Sequence, residues 1–92
     1  MGQAFDWDEG KARRNVRRHR VSFEEAASVF SDSNALVLVD SDHSADEARY
    51  VIMGISNRAR VLVVVYTERG RTIRIITAHR ATRRERRRYG QG

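Results

Sequence analysis

The chain has 92 residues, with 18 basic side chains, 12 acidic ones and no cysteine. This length suits one domain, and the lack of cysteine excludes disulfides, zinc fingers and thiol nucleophiles. No run approaches the roughly 18 apolar residues of a membrane span, and the N-terminal residues do not resemble a signal peptide. We therefore expect a single domain over residues 1–92, cytoplasmic and without a membrane partner.

The net charge of +6 is unevenly distributed along the chain. Residues 21–50 hold seven acids and one base, whereas residues 69–92 hold nine bases and one acid. All but one of the bases are arginine, whose planar guanidinium binds phosphate through two parallel hydrogen bonds. The basic C-terminal quarter therefore predicts contact with a polyanion, although a merely solvated helix face stays open as the alternative.

The N-terminal half predicts a short strand and two helices. Residues 5–7 are typical of a strand, and Asp6 or Asp8 can cap a helix that runs to about residue 18. Its narrow apolar stripe consists of Ala12, Val16 and His19. A capping box at residues 22–25 begins a second, amphipathic helix, and the polar residues 31–34 end it.

The C-terminal half predicts four strands and a last helix. The strands cover residues 35–40, 49–56, 60–67 and 72–78, and Gly70 lies in the turn between the last two. A second capping box, residues 82–85, begins a helix that runs to about Tyr89 and ends at Gly90. The fold class is therefore α+β: a small, mostly antiparallel sheet with two N-terminal helices and a C-terminal helix.

The last strand and the start of the last helix form the strongest candidate site. Alternation places Arg74 with Ile76 and Ala78 on one face of the strand, and His79 on the other. A guanidinium inside an apolar strand needs an anion or an open cleft. Arg80 follows where the chain turns into a helix N-terminus, and this combination favours phosphate. A structural ion pair for Arg74 and an ordinary end-of-strand role for His79 stay open.

The acidic segment 40–47 could support a different chemistry. Its alternating carboxylates and His43 could hold Mg²⁺ or Mn²⁺, although their spacing does not match a calcium-binding loop. An exposed connection rich in turn-forming residues is the favoured interpretation. We therefore expect no metal and no other cofactor.

Several segments, taken in order, cover nearly the whole chain and are specific in combination. They are residues 5–9 with Lys11, Asn15 and His19 before residues 21–26, residues 42–44 with 47–50, residues 64–70, residues 73–76 and 80–82, and Glu85, Arg86 and Tyr89. In these segments the chain resembles the BrnT family, the ribonuclease toxins of type II toxin–antitoxin pairs.

The resemblance implies a RelE-like fold and a metal-independent endoribonuclease that inhibits translation. The implied partners are an RNA substrate and a BrnA-like antitoxin of the ribbon-helix-helix type, with operator DNA bound only through the toxin–antitoxin complex. We expect attack of a ribose 2′-hydroxyl on the adjacent phosphate. Arg74 and Arg80 would neutralise the phosphorane, and His79 would move the proton. The expected RNA-binding residues are Arg60, Tyr66, Arg83 and Arg84.

At two positions the residue differs from the one found in many members of the family that the chain resembles. Arg20 stands after the first helix where many have glycine, which implies a different or a strained helix end. His79 stands where many have arginine. Because histidine can accept or donate a proton where arginine cannot, the mechanism would shift at this position.

Two other functions remain open at the level of sequence. A non-catalytic basic module that docks on RNA or the ribosome needs only the arginine-rich last helix. A metal-dependent nuclease that uses the acidic segment predicts that chelators abolish cleavage.

Overall fold

The computed structural model describes residues 2–40 and 47–91. In chain order it contains β1 (Ala4–Asp6), α1 (Glu9–His19), α2 (Phe23–Ser28), a 3₁₀ turn (Val29–Ser31), β2 (Leu36–Asp40), β3 (Arg49–Ile55), β4 (Val61–Arg69), β5 (Thr72–Arg80) and α3 (Arg83–Gln91). The predicted order of elements is confirmed. No helix among the described residues is long and apolar enough to cross a membrane.

The five strands form one mixed sheet in the order β1-β5-β4-β3-β2. β1 runs parallel to β5, with Phe5 opposite Ile73, and the other three pairings are antiparallel. The expected mostly antiparallel sheet is thus corrected to a mixed one. The sequence predicts a strand at residues 5–7, but the direction of that strand depends on where α1 and α2 pack, which local pattern does not determine.

The main core lies between the helices and one face of the sheet. Phe23 of α2 and Ile75 of β5 are almost completely buried there, and each such side chain contributes roughly 1.5–3 kcal/mol. The ring of Phe30 lies between those of Phe5 and Tyr66, at centroid distances of 5.2 and 4.9 Å. This packing holds β1 and the 3₁₀ turn against the central strands.

A smaller core covers part of the opposite face. Met53, Val63 and Ala81 are buried there, and Tyr89 of α3 packs against them. The Tyr89 hydroxyl also donates a hydrogen bond to the carboxylate of Asp32, which follows the 3₁₀ turn. α3 is therefore fastened at its C-terminal end to the corner that precedes β2.

A β-bulge interrupts the β4–β5 pairing. Val65 lies opposite Thr77 and Tyr66 opposite Ile75, so Ile76 has no partner on β4. The bulge resets the alternation of side chains, because an extra residue shifts every later one to the other face. Residues 75 and 78 are consequently both buried in the main core, which corrects the predicted grouping of residues 74, 76 and 78 on one face.

Both hydrogen bonds of the predicted capping box are present in α3, whereas only one of the two is present in α2. In α3, Thr82 Oγ1 accepts from the Glu85 N–H (3.1 Å), and the Glu85 carboxylate accepts from the Thr82 N–H (2.8 Å). In α2, Ser22 Oγ accepts from the Glu25 N–H (3.0 Å), but the Glu25 side chain turns inward to Arg60. A hydrogen bond to the half-buried Arg60 has therefore replaced the reciprocal bond of that box.

α1 begins and ends with definite caps. Asp8 accepts from the Lys11 N–H (2.8 Å), so Asp8 rather than Asp6 is the N-cap. Arg20 follows the helix in the left-handed conformation (φ 60°, ψ 33°), and its N–H donates to the Val16 carbonyl (2.9 Å). A non-glycine residue in this conformation costs roughly 1–2 kcal/mol. Of the two outcomes expected at Arg20, a different helix end or a strained one, the structure has the strained end.

Candidate active site

α1 is attached to the free edge of β5 by a buried asparagine. β1 covers that edge only as far as the pair Asp6–Arg74. Beyond it, Asn15 donates to the Ala78 carbonyl (2.8 Å) and accepts from the Ala78 N–H (3.2 Å), and it donates also to the Val21 carbonyl (2.9 Å). The carboxamide thereby replaces a missing strand partner and fixes the position of α1 along β5.

A strongly cationic cleft of about 590 Å³ opens between α1 and β5. It is lined by Lys11, Arg14, Asn15, Arg17, Arg18, His19, Ile76 and Thr77. Four of these side chains are permanent cations and none is an acid, so the positive potential is concentrated in a concave surface. Such a surface suits a phosphate group of a polyanion.

Two histidines lie close together where α1 ends, and one of them, His19, lines the cleft. His19, the last residue of α1, lies one helical turn after Asn15, and His79 directly follows Ala78. Their ring centroids are 6.0 Å apart. Burial lowers the pKa of His19, and the nearby positive charges of His79 and Arg18 lower it further. The neutral imidazole of His19 is therefore favoured at neutral pH.

His79 has an acidic partner from α3. Its Nε2 lies 3.3 Å from Glu85 Oε1, in the first turn of that helix. Partial burial alone would raise the pKa of Glu85, but the Thr82 N–H and the His79 ring outweigh this effect and hold the pKa below its usual range. Glu85 is consequently a carboxylate that is positioned to orient the His79 ring.

Arg74 shares a face with His79 but lies far from it. His79 is opposite Val63 and Arg74 is opposite Thr67, and these two β4 residues are on the same face. Five residue steps along the strand place them roughly 16 Å apart. Arg74 Nη1 lies 3.3 Å from Asp6 Oδ1, so it has the ion-pair partner that the sequence left open. The structure does not bring Arg74 to the histidine pair.

Arg80 lies next to His79 but on the other face. It is opposite Leu62, a residue of the main core, and its own side chain is exposed. Because Arg80 is the last residue of β5, its long side chain can reach round the end of the strand. The three expected catalytic residues thus form no compact trio.

The expected RNA-binding residues Arg60 and Tyr66 are both engaged inside the protein. Arg60 Nε donates to Glu25 (2.9 Å), and its Nη2 donates to the same carboxylate and to the Arg20 carbonyl (3.1 Å). Its hydrogen bond lowers the pKa of Glu25, which is only 4% exposed. Tyr66 is 5% exposed and packs between Phe30 and Tyr50, so neither ring face is open to a base.

Arg83 and Arg84 are exposed in the first turn of α3, on the helix that also carries Glu85. They stand close in sequence to His79 and are accessible to a large ligand. Their placement is compatible with the expected contacts to an RNA backbone.

Metal ligation receives no support from the described part of the chain. No group of three His, Cys, Asp or Glu side chains there could hold a metal ion. Asp42, His43 and Asp46 of the acidic segment lie outside the described residues. Glu47, at its end, pairs with Arg69 (3.0 Å).

Sequence reasoning missed His19 and Asn15 as site residues. It placed His19 in the apolar stripe of α1, together with Ala12 and Val16. The spacing of four residues between Asn15 and His19 puts both side chains on one side of a helix. That signal was available, but only the packing of α1 on β5 shows that this side meets His79.

A mixed sheet with two helices on one face, a cationic cleft lined by His19 and a second imidazole beside it define a small α+β protein whose concave surface suits an anion. The chain matches the model of the family described as ribonuclease toxin, BrnT, of type II toxin–antitoxin systems, over residues 7–85. The chain therefore belongs to the BrnT family, and the predicted resemblance is confirmed. A toxin of such a pair has a cognate antitoxin.

A solved structure agrees with this family assignment at the level of fold. The crystal structure of the Brucella abortus ribonuclease toxin BrnT matches with a TM-score of 0.68 and 21% sequence identity. The match covers 89% of this chain and all of that one. No curated protein matches the chain. At this identity the structural likeness supports the architecture and leaves the roles of individual residues to the site itself.

Proposed function

We propose that this ribonuclease toxin is a metal-independent endoribonuclease that cleaves RNA by attack of a ribose 2′-hydroxyl and so inhibits translation in the cytoplasm. The observation that supports the proposal best is the His79–Glu85 pair at the end of a cleft lined by four cations. A proton-transfer group and a phosphate-binding surface are the two parts that such a reaction needs.

The chemistry follows from these two parts. The 2′-oxygen forms a bond to phosphorus and the bond to the 5′-oxygen breaks, which leaves a 2′,3′-cyclic phosphate and a 5′-hydroxyl. Negative charge grows on the non-bridging oxygens, and preorganised guanidinium groups stabilise it in the transition state. His79 moves a proton in this step, and Glu85 holds its ring in place.

The arginines take different positions along the RNA. Arg14, Arg17 and Arg18 of α1 line the cleft and would hold the scissile phosphate, which Arg80 could reach from the end of β5. Arg74, roughly 16 Å from His79, would contact a neighbouring nucleotide. Arg83 and Arg84 would bind the backbone along α3. Arg60 and Tyr66 have packing roles in this proposal.

The partners follow from the family assignment. We propose a BrnA-like antitoxin of the ribbon-helix-helix type, and binding of operator DNA only through the complex. A RelE-like arrangement of the sheet and the terminal helix, in which RNA lies across both, is part of the same proposal. The mixed five-stranded sheet with α3 beside His79 is compatible with it.

One observation favours a second function. α3 exposes five arginines, residues 83, 84, 86, 87 and 88, and a basic helix of this kind can bind RNA or the ribosome without cleavage. On this alternative the toxin would block translation by occupancy alone. It predicts bound but intact RNA.

Cleavage in the presence of EDTA tests the proposal. The toxin, purified with its antitoxin and then separated from it, should cleave a single-stranded RNA in EDTA at the rate seen with Mg²⁺. The His79→Gln variant serves as the inactive control. Activity that disappears on chelation and returns with Mg²⁺ contradicts the metal-free mechanism, and tight binding without any cleavage supports the binding module.

A further inference from the structure

We propose that His19 is a second catalytic residue, the general base that takes the proton from the 2′-hydroxyl, while His79 is the general acid that protonates the 5′-oxygen. This inference rests on the proposed function, because it assigns both proton transfers of the same reaction. A single imidazole would have to serve both oxygens in turn. The structure offers two: His19 lines the cleft, and His79 lies beside His19.

The geometry of the two rings fits one phosphodiester. Their centroids are 6.0 Å apart, and both side chains are partly exposed toward solvent. Hydrogen bonds between an imidazole and a phosphodiester oxygen span roughly 2.8 Å. A nucleotide step of the RNA can therefore lie with its 2′-hydroxyl against His19 and its 5′-oxygen against His79, while the cations of α1 hold the non-bridging oxygens of the phosphate.

The surroundings of the two rings differ in charge. His19 faces Arg18 from its own helix and His79 from β5, and three more cations of α1 line the same cleft. Burial lowers the pKa of His19, His79 and Arg18 lower it further, and the neutral form of His19 is favoured. His79 faces His19 from α1 but also the Glu85 carboxylate from α3, 3.3 Å away. This difference in neighbours is the basis on which we assign the base to His19, among cations, and the acid to His79, beside a carboxylate.

The proton balance of the step then closes without any other group. Neutral His19 accepts the 2′-hydroxyl proton as the 2′-oxygen attacks phosphorus. The imidazolium of His79 donates its proton to the 5′-oxygen as the bond from phosphorus to that oxygen breaks. The products are the cyclic phosphate, a 5′-hydroxyl, a protonated His19 and a neutral His79, and solvent exchange restores the starting state.

The contact between Asn15 and Ala78 fixes the positions of both histidines. His19 and His79 are held in register because Asn15, one turn before His19, is bonded to Ala78, the residue before His79. The base on α1 and the acid on β5 are therefore tied to the same buried contact. An exposed histidine without a role in the site would need no such support.

A substrate with sulfur in place of the bridging 5′-oxygen distinguishes acid from base. A thiolate leaves without protonation, so this RNA does not need a general acid but still needs a general base. On ordinary RNA, His19→Gln and His79→Gln should each lower single-turnover cleavage by about 10²–10⁴-fold. On the sulfur-bridged RNA, His79→Gln should recover to nearly the wild-type rate, whereas His19→Gln should stay slow.

Controls separate catalysis from folding and binding. Arg13→Gln, an exposed position of α1 outside the cleft lining, should cleave like the wild type. Each histidine variant should melt near the wild-type temperature and should bind an RNA with a 2′-deoxy cleavage site as tightly as the wild type. If His19→Gln fails to fold, His19→Asn takes its place in the same comparison.

The possible failures can be told apart. If the wild type cleaves ordinary RNA and folded His19→Gln cleaves it equally fast, the inference is overturned and the proposed function remains intact. Loss of cleavage that only parallels loss of binding, or rescue of His19→Gln in place of His79→Gln, also overturns it. Failure of the wild type to cleave either RNA overturns the proposed function itself.

Discussion

The side-chain amide of Asn15 is hydrogen-bonded to both backbone groups of Ala78, as a neighbouring strand would be. This contact continues the edge of β5 where β1 has ended, and it places α1 along the sheet. His19 lies one helical turn after Asn15, and His79 is the residue that follows Ala78. The distance between the imidazoles therefore depends on a residue that touches neither.

The first prediction concerns this contact. Asn15→Ala should lower the free energy of unfolding by about 2–4 kcal/mol, because it leaves buried backbone groups without partners at about 1–3 kcal/mol each. It should also slow RNA cleavage, since α1 loses its fixed position. Urea unfolding checks the first effect and single-turnover kinetics the second. An unchanged midpoint, equal to that of Arg13→Ala on the exposed side of α1, contradicts this role.

The second prediction separates structure from RNA binding at Arg60. Arg60→Ala should destabilise the fold by about 3 kcal/mol, because the buried Glu25 carboxylate loses its main partner. Affinity for RNA should not change, since the guanidinium is engaged inside the protein. Arg58→Ala is the matched control: its side chain is 69% exposed and contacts the same carboxylate at 3.9 Å, so its effect should stay below about 1 kcal/mol. If the Arg60→Ala variant is stable but binds RNA more weakly, Arg60 is an RNA-binding residue after all and this prediction is wrong.

The third prediction is a dependence of stability on pH. The Arg60 hydrogen bond holds the pKa of Glu25 below the ordinary value of 4.5, so the folded state binds this proton less readily than the unfolded state does. The stabilisation is complete above pH 4.5 and is lost as the pH falls through the lower folded pKa. The pKa values of Asp32 and Glu85 are lowered too, so the wild type should lose stability steadily below pH 4.5.

Urea midpoints measured from pH 7 to pH 3 check this account. Arg60→Ala should show a shallower decline than the wild type, because Glu25 then has a pKa closer to that of the unfolded chain. Parallel curves for the two proteins contradict the assignment of this pH dependence to Glu25.

The fourth prediction concerns the attachment of α3. Tyr89→Phe removes the hydrogen bond from the Tyr89 hydroxyl to the Asp32 carboxylate. A bond to a charged acceptor is worth about 1.5–3 kcal/mol, so α3 should open more often. Hydrogen exchange should become faster for α3 amides, while β4 amides in the same molecule serve as the unchanged reference. Equal acceleration in α3 and β4 would mean that the bond stabilises the whole fold instead of one helix.

The fifth prediction compares the two arginines of β5. Arg80→Ala should lower cleavage by about 10²-fold if its guanidinium stabilises the phosphorane. Arg74→Ala should mainly raise KM, because Arg74 would contact a neighbouring nucleotide and is already paired with Asp6. Steady-state kinetics on a defined RNA separate the two effects. Undiminished cleavage by folded Arg80→Ala removes Arg80 from the site.

Local features of the fold could be predicted because they depend on a few neighbouring residues. The caps at Ser22 and Thr82 depend on contacts three residues apart, and the strain at Arg20 follows from its position after a helix. Where local pattern gave the wrong detail, a distant residue decided the outcome. Arg60, 35 residues away, draws the Glu25 side chain out of its capping box.

The candidate site could be predicted only in part for the same reason. The alternation of side chains along the sequence does not predict the bulge at Ile76, and the bulge changes which residues of β5 share a face. The sequence indicated His79 because it lies between a strand and a helix. It could not indicate His19, whose role depends on how α1 packs against β5 through Asn15.

The ends of the cleaved RNA test the central claim most directly. If a ribose 2′-hydroxyl attacks the phosphate without a metal, cleavage in EDTA should give 5′-hydroxyl and 2′,3′-cyclic phosphate ends, and a single 2′-deoxy substitution at the cleavage site should abolish it. Products with 5′-phosphate ends, or cleavage that persists at the 2′-deoxy position, would contradict the account.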